Sequence, residues 1–307
     1  SFLQTLLGPV PFSTTSADGR YTLLSPADCY TQFSLVCAKQ GAAKLYLNID
    51  RTPPTIDPLV GIAEGQVFAK GAGPAKPARC SATDALSGAA LGTTTCTVLD
   101  VTSTPVTDPF SPSGTVFTAH LEASDPAGNK AQKTVTWTVL SATFSTSGRT
   151  TGSGSLTGNP AQGTVSTSFT LRCSGSPNQL NVSWAAGSFD LTTVTAISCW
   201  DDTRYDHAQP VAPHDVLSLS GTGRFCPKGS KTCVEAAVTI VLIDNGEPGG
   251  GSDLLKVVVT PKTGGAGPLQ VSGKITTGGN VQAHEAQGNG TNDNGNVNGP
   301  TGNTSNK

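Results

Sequence analysis

The chain has 307 residues, enough for two or three domains with a core apiece. Charged residues make up 13% of it, against about 25% in an average soluble chain, and the net charge is −2. With no basic tract and no apolar run near the ~20 residues of a membrane span, nucleic acid and a membrane span are both set aside.

Gly (36) and Pro (21) are plentiful, Met is absent, and Ser and Thr stand where Lys and Glu are usual. β-branched Thr fits a pleated, solvent-facing strand, so the composition predicts an all-β chain. A chain that opens at Ser1, with no basic flank in residues 1–8, is expected to be a processed, secreted chain or a fragment without an intact signal peptide.

In residues 1–50, Tyr21 to Leu24, Phe33 to Val36 and Leu45 to Ile49 have strand composition. The first dozen residues are expected either as a first strand of that small β segment or as an arm docking into a neighbouring subunit by strand addition. Residues 51–140 follow as a module. Pro53 and Pro54 set an extended entry and deny the first strand its ladder donors. Phe117, Ala119, Leu121 and Ala123 alternate with Thr118, His120 and Glu122, which puts His120 on a solvated face. Asp125 to Asn129 is turn chemistry, and Val135, Trp137 and Val139 then alternate with threonines in a half-buried strand.

The set Asp50-Arg-Thr-Pro-Pro-Thr-Ile56, Cys80-Ser-Ala-Thr-Asp84-Ala-Leu-Ser-Gly88, Cys96 and Asp125-Pro-Ala-Gly-Asn129 resembles the repeated Ig-like (fibronectin-like, hyaline-repeat-like) modules of large bacterial surface and secreted proteins. The resemblance implies a β-sandwich used as a spacer, stalk or adhesion unit, with Cys80 and Cys96 as its local cysteine pair. It names no ligand.

Residues 141–163 are Gly, Ser and Thr and read as a linker with room for one short strand. Residues 164–285 make a second β domain. Phe169, Leu171 and Cys173 share a face, as do Leu180, Val182 and Trp184, and as do Val234, Ala236, Val238, Ile240 and Leu242. Asp244 to Gly249 joins two core strands. The order of its Gly-rich turns resembles an uncharacterised β domain near the ends of secreted bacterial proteins, and no catalytic residues come with that likeness. Residues 286–307 are a polar tail that would take order only from a partner such as a neighbouring copy, a glycan or a lattice.

The eight cysteines pair by proximity as Cys29 with Cys37, Cys80 with Cys96, Cys173 with Cys199, and Cys226 with Cys233. Local spacing and an even count predict disulfides and an oxidising compartment, each short loop adding ~2–3 kcal/mol. No Cys-x-x-Cys pair points to zinc, and no cofactor or metal is expected.

The richest polar cluster holds Asp201, Asp202, Arg204, Asp206 and His207, followed by His214 and Asp215. It reads as a surface loop, with a cation site or a His–Asp acid–base pair as the sharper alternatives. Trp137 and Trp184 follow inward alternation, while Trp200 is expected exposed, where it could stack on a sugar. Asn181, Asn289 and Asn303 match the glycosylation acceptor pattern.

The expected whole is tandem Ig-like β-sandwich modules with disulfides and extended terminal arms. It is a secreted, non-enzymatic structural protein that polymerises with copies of itself, and a carbohydrate-binding module is the alternative.

Overall fold

The computed structural model describes residues 19–24, 44–77, 79–85, 93–205, 212–246, 251–263, 268–276 and 278–285. Cys29, Cys37, Asp206, His207, Asn289 and Asn303 lie outside these residues, as do the expected strand from Phe33 to Val36, the N-terminal arm and the polar tail. Every regular element among the described residues is a β-strand. The chain divides into one unit of residues 1–68, 72–105 and 115–139, and a second of residues 69–71, 106–114 and 140–307.

In the first unit β1 (Gly19–Leu24) and β2 (Lys44–Ile49) form an antiparallel pair with Tyr21 opposite Leu47. Next come β3 (Thr55–Ile56), β4 (Gln66–Phe68), β5 (Ala82–Thr83), β6 (Thr95–Pro105), β7 (Gly114–Ser124) and β8 (Lys130–Leu140). Four of them make a sheet in the order β4-β8-β7-β6, with β4 parallel to β8, and β3 pairs with β5 in a separate two-residue ladder. Alternation decides what is buried: Ala119, Leu121 and Ala123 of β7 and Val135 and Trp137 of β8 meet Ile56, Leu59 and Ile62 in one core. The Trp137 indole is 1% exposed, stacks on Phe117 at 5.5 Å and donates its N–H to the Pro74 carbonyl at 2.8 Å. Between β7 and β8 the Asp125 carboxylate accepts the Asn129 backbone N–H at 2.9 Å, closing the turn.

The second unit holds β9 (Thr143–Ser145), β10 (Arg149–Thr157), β11 (Thr164–Arg172), β12 (Gln179–Trp184), β13 (Gly187–Asp201), β14 (Val216–Pro227), β15 (Val234–Ile243), β16 (Leu254–Pro261), β17 (Leu269–Lys274) and β18 (Asn280–His284). They make a single antiparallel sheet in the order β17-β16-β15-β14-β13-β12-β11-β10-β18, with β9 paired to the end of β13. The tandem two-sheet sandwich is therefore not what this unit shows.

The reason lies in how the sheet bends. β13 shifts register between Leu191 and Thr193 and again between Val194 and Ala196, and such bulges sharpen the local twist. Opposite them the inward positions of β14 are Gly221 and Gly223, where a Cβ would strike the carbonyls of Thr193 and Asp190. The curl lets one inner face close on itself. Leu156 and Val281 from one end share a core with Leu255 and Leu269 from the other, and Phe189 and Phe225 are wholly buried between. Each such side chain contributes about 1.5–3 kcal/mol.

The stretch 141–163 is not a linker. Its Gly and Ser hide β10, where a Cβ on Gly152 would strike the Asn280 carbonyl of the neighbouring β18 and one on Gly154 would strike the Ile275 side chain. The free edge of β18 is finished by carboxylates: Asp253 accepts the Val281 N–H at 2.7 Å and Asp244 accepts the Ala283 N–H at 2.8 Å.

Candidate functional site

The polar stretch after Cys199 resolves into two separate environments. The first centres on Asp202, which follows the end of β13 and is fully buried. One of its oxygens, Oδ1, accepts the Arg204 backbone N–H at 3.1 Å, a local turn typical of Asp. The Arg204 guanidinium closes on the same carboxylate through Nε at 2.9 Å and Nη2 at 2.8 Å, a forked ion pair. Oδ2 also takes the Ser113 N–H at 2.9 Å and the Trp200 indole N–H at 3.3 Å.

Arg204 then donates to the carbonyls of Val106, Asp108 and Ser111, and the Tyr205 hydroxyl donates to the Pro109 carbonyl at 2.5 Å. Together they strap residues 106–114 over a small apolar cluster of Trp200, Val216, Val241 and Ile243. Burial pushes the Asp202 carboxyl up, but Arg204 and the backbone donors outweigh it and bring its pKa to about 2. Burial drives Tyr205 up to about 12. Asp215 accepts the Asp202 N–H at 3.1 Å, which makes it a second brace in the same loop.

The second environment is His214, wholly buried against the Cys173–Cys199 disulfide. Its Nε2 lies 2.9 Å from Thr150 Oγ1 and 3.7 Å from Cys173 Sγ, and its Nδ1 has no hydrogen-bond partner. The ring is admitted by Gly148 at φ +107°, where a Cβ would sit 2.6 Å from His214 Cε1. Burial, helped by His284, lowers the His214 pKa to about 4, so the ring is neutral at physiological pH.

Trp200 was expected at the surface for sugar stacking and is instead 3% exposed, capped by Phe144 at a ring distance of 6.0 Å. Its position beside Cys199 puts it on the outer face of β13, and the strap of residues 106–114 covers that face. Trp184 stacks on Phe225 at 5.0 Å inside the sheet. His120 lies on the open face of β7, with Nδ1 2.6 Å from Asp100 Oδ1.

Among the described residues three disulfides are formed: Cys80–Cys96, Cys173–Cys199 and Cys226–Cys233. Asn181 is exposed on β12.

One grouping went unseen in the sequence. Asp50, Asp84 and Asp125, one from each motif of the first module, bring carboxylate oxygens within 4.8 Å of one another. Asn129 ties the group together, donating from Nδ2 to Asp125 Oδ2 at 2.8 Å and to the Asp50 carbonyl at 3.1 Å. Burial raises the Asp125 carboxyl, but the hydrogen bonds from Asn129 and from the Ala127 and Gly128 backbone together outweigh it and keep it below the usual carboxylate range. An all-oxygen, all-anionic set has the chemistry of a hard-cation ligand rather than of a zinc site. The signal that could have revealed it was the recurrence of an Asp in all three motifs.

No protein-family model matches the chain, and no curated protein or solved structure matches it either.

Proposed function

We propose that this chain is a non-enzymatic structural subunit of an extracellular surface assembly, a stalk or filament built from Ig-like and Gly-rich β modules. One observation carries the reading: the polar residues best suited to chemistry are engaged in fastening chain segments together. Asp202 and Arg204 strap residues 106–114, Asp244 and Asp253 finish an edge strand, and Asn129 gathers the ends of the first module.

The carboxyl chemistry supports it. The carboxyls of Glu64, Asp108, Glu122, Asp125 and Asp202 are all held below their ordinary values, whereas a general acid needs an upward shift. The disulfides suit an oxidising, extracellular setting. No helix among the described residues is long and apolar enough to cross a membrane.

Self-assembly is proposed through the terminal arms and through β6, an eleven-residue strand whose second edge takes no strand among the described residues. The edge of β18 is a poor candidate, because carboxylates already accept its N–H groups. Light scattering over a hundredfold concentration range tests this. The full chain should form multimers, and chains lacking residues 1–12 or 286–307 should stay folded as monomers. A full chain that is monomeric throughout would end the proposal.

A further inference from the structure

The outward face of β18, β10, β11 and β12 is made of one kind of chemistry. Every outward position of β10 from Thr151 to Thr157 is Ser or Thr, and so is every outward position of β11 from Thr164 to Thr170. β12 adds Gln179, Asn181 and Ser183, all exposed. The register aligns these groups across strands: Ser155 stands opposite Ser166 and Ser166 opposite Ser183, and Ser153 stands opposite Ser168 and Ser168 opposite Asn181. Charge enters this face at its margins, where Arg149 is opposite both Arg172 and His284 and where Asp190 of β13 stands opposite Asn181. A groove of about 340 Å³ lies within it, between Thr151, Ser168, Thr170, Gln179 and Asn181, over Gly152 and Phe169.

We infer that this face is a docking surface for an uncharged polysaccharide. Short hydroxyl and carboxamide side chains both donate and accept, as sugar hydroxyls do, and they lose little rotamer entropy when held. Strand geometry repeats them about every 7 Å along a strand and about 4.8 Å across strands, a periodic array suited to a polymer rather than to one small molecule. A nucleic acid or acidic glycan would need cations across the face, and a protein partner would need aromatic or aliphatic anchors. Neither is present on the outward positions from Thr151 to Thr157, from Thr164 to Thr170 and from Gln179 to Ser183, and the cations Arg149, Arg172 and His284 stand only at the margin. The surface is independent of the buried Trp200 and of the structural role proposed above.

The test is co-sedimentation of the full chain with insoluble cellulose, mannan and starch, with calcium alginate gel as the acidic control, at 0.1 and 0.5 M NaCl. Binding is expected to at least one uncharged polymer, unchanged by salt. Ser168→Arg combined with Asn181→Arg should lower the bound fraction at least tenfold, and Thr239→Arg on the outward side of β15 should leave it unchanged. Thermal unfolding with retained disulfides verifies that the variants are folded. Should the double variant unfold, Ser166→Asp, farther from the groove centre, takes its place with the same expectation. Failure to bind all three neutral polymers, binding that survives the substitutions, or binding to alginate alone that salt abolishes would each overturn the inference.

Discussion

At the scale of single residues, His214 and Asp202 are two of the buried ionisable groups through which the fold answers to acid. His214 has a folded pKa of about 4 against an ordinary value near 6.5. Because the folded form resists the proton, its contribution is fully present above about pH 6.5 and is lost as pH falls toward 4. The groups facing the ring are Thr150 of β10, Gly148 just before it, the Cys173 sulfur and His284, and none of these offers a negative charge to the imidazolium. Urea unfolding at pH 7.5 and 4.5 should show wild-type protein losing about 2.5 kcal/mol more than a His214→Gln variant. Equal pH slopes in the two proteins would show that the ring does not carry the effect.

Asp202 acts in a lower window. Its contribution is present above the ordinary carboxyl range near 3.8 and falls away toward pH 2. Replacing it leaves the Arg204 guanidinium, the Trp200 N–H and the Ser113 N–H without their shared acceptor. Asp202→Ala should therefore cost about 3–5 kcal/mol at pH 7, read by chemical denaturation, and should raise the exposure of Trp200 to quenchers. A loss under 1 kcal/mol with Trp200 still shielded would contradict its role as the fastening point.

At the scale of elements, periodicity was legible where side chains differ sharply between faces. β8 alternates Val and Trp with Thr, and β15 alternates Val, Ala and Ile with Glu and Thr, so their inward faces could be read directly. β10 could not be read that way. Its outward residues are Ser and Thr and its inward ones include two glycines, so there is no hydrophobic contrast to follow, and the reason for those glycines lies in the Asn280 carbonyl and the Ile275 side chain, far off in sequence. Trp200 was misplaced for a related reason: the alternation of β13 puts it outward, and only the return of residues 106–114 buries it. The Asp202 strap spans about ninety residues of chain, a separation no local pattern encodes.

The cysteines were legible because each described pair is local, 16, 26 and 7 residues apart. Loop-closure entropy makes the longest loop the most valuable, about 3.5 kcal/mol for Cys173–Cys199 against about 2.5 kcal/mol for Cys226–Cys233. Double Cys→Ala variants should lose stability in that order, with the first losing more because Cys199 and Cys173 also fill the core beside His214. The reverse order in denaturant titrations would mean that the Cys226–Cys233 hairpin, and not the longer loop, is the weak point of the unit.

At the scale of the whole molecule, what the sequence conveyed was the class: all-β, disulfide-bonded and poor in charge. The curled ten-stranded sheet of the second unit was not foreseen, because bulges and paired glycines that bend a sheet leave only faint traces in composition. A sheet that closes its core on itself and finishes one edge with carboxylates is a robust building block with few exposed edges. Such a block suits the load-carrying role proposed above, in which copies would meet through the chain termini and β6. Negative-stain imaging of the native material tests this most directly. Repeating, elongated multimers with a regular subunit spacing are the predicted result, and a field of separate single protomers at every concentration would contradict it.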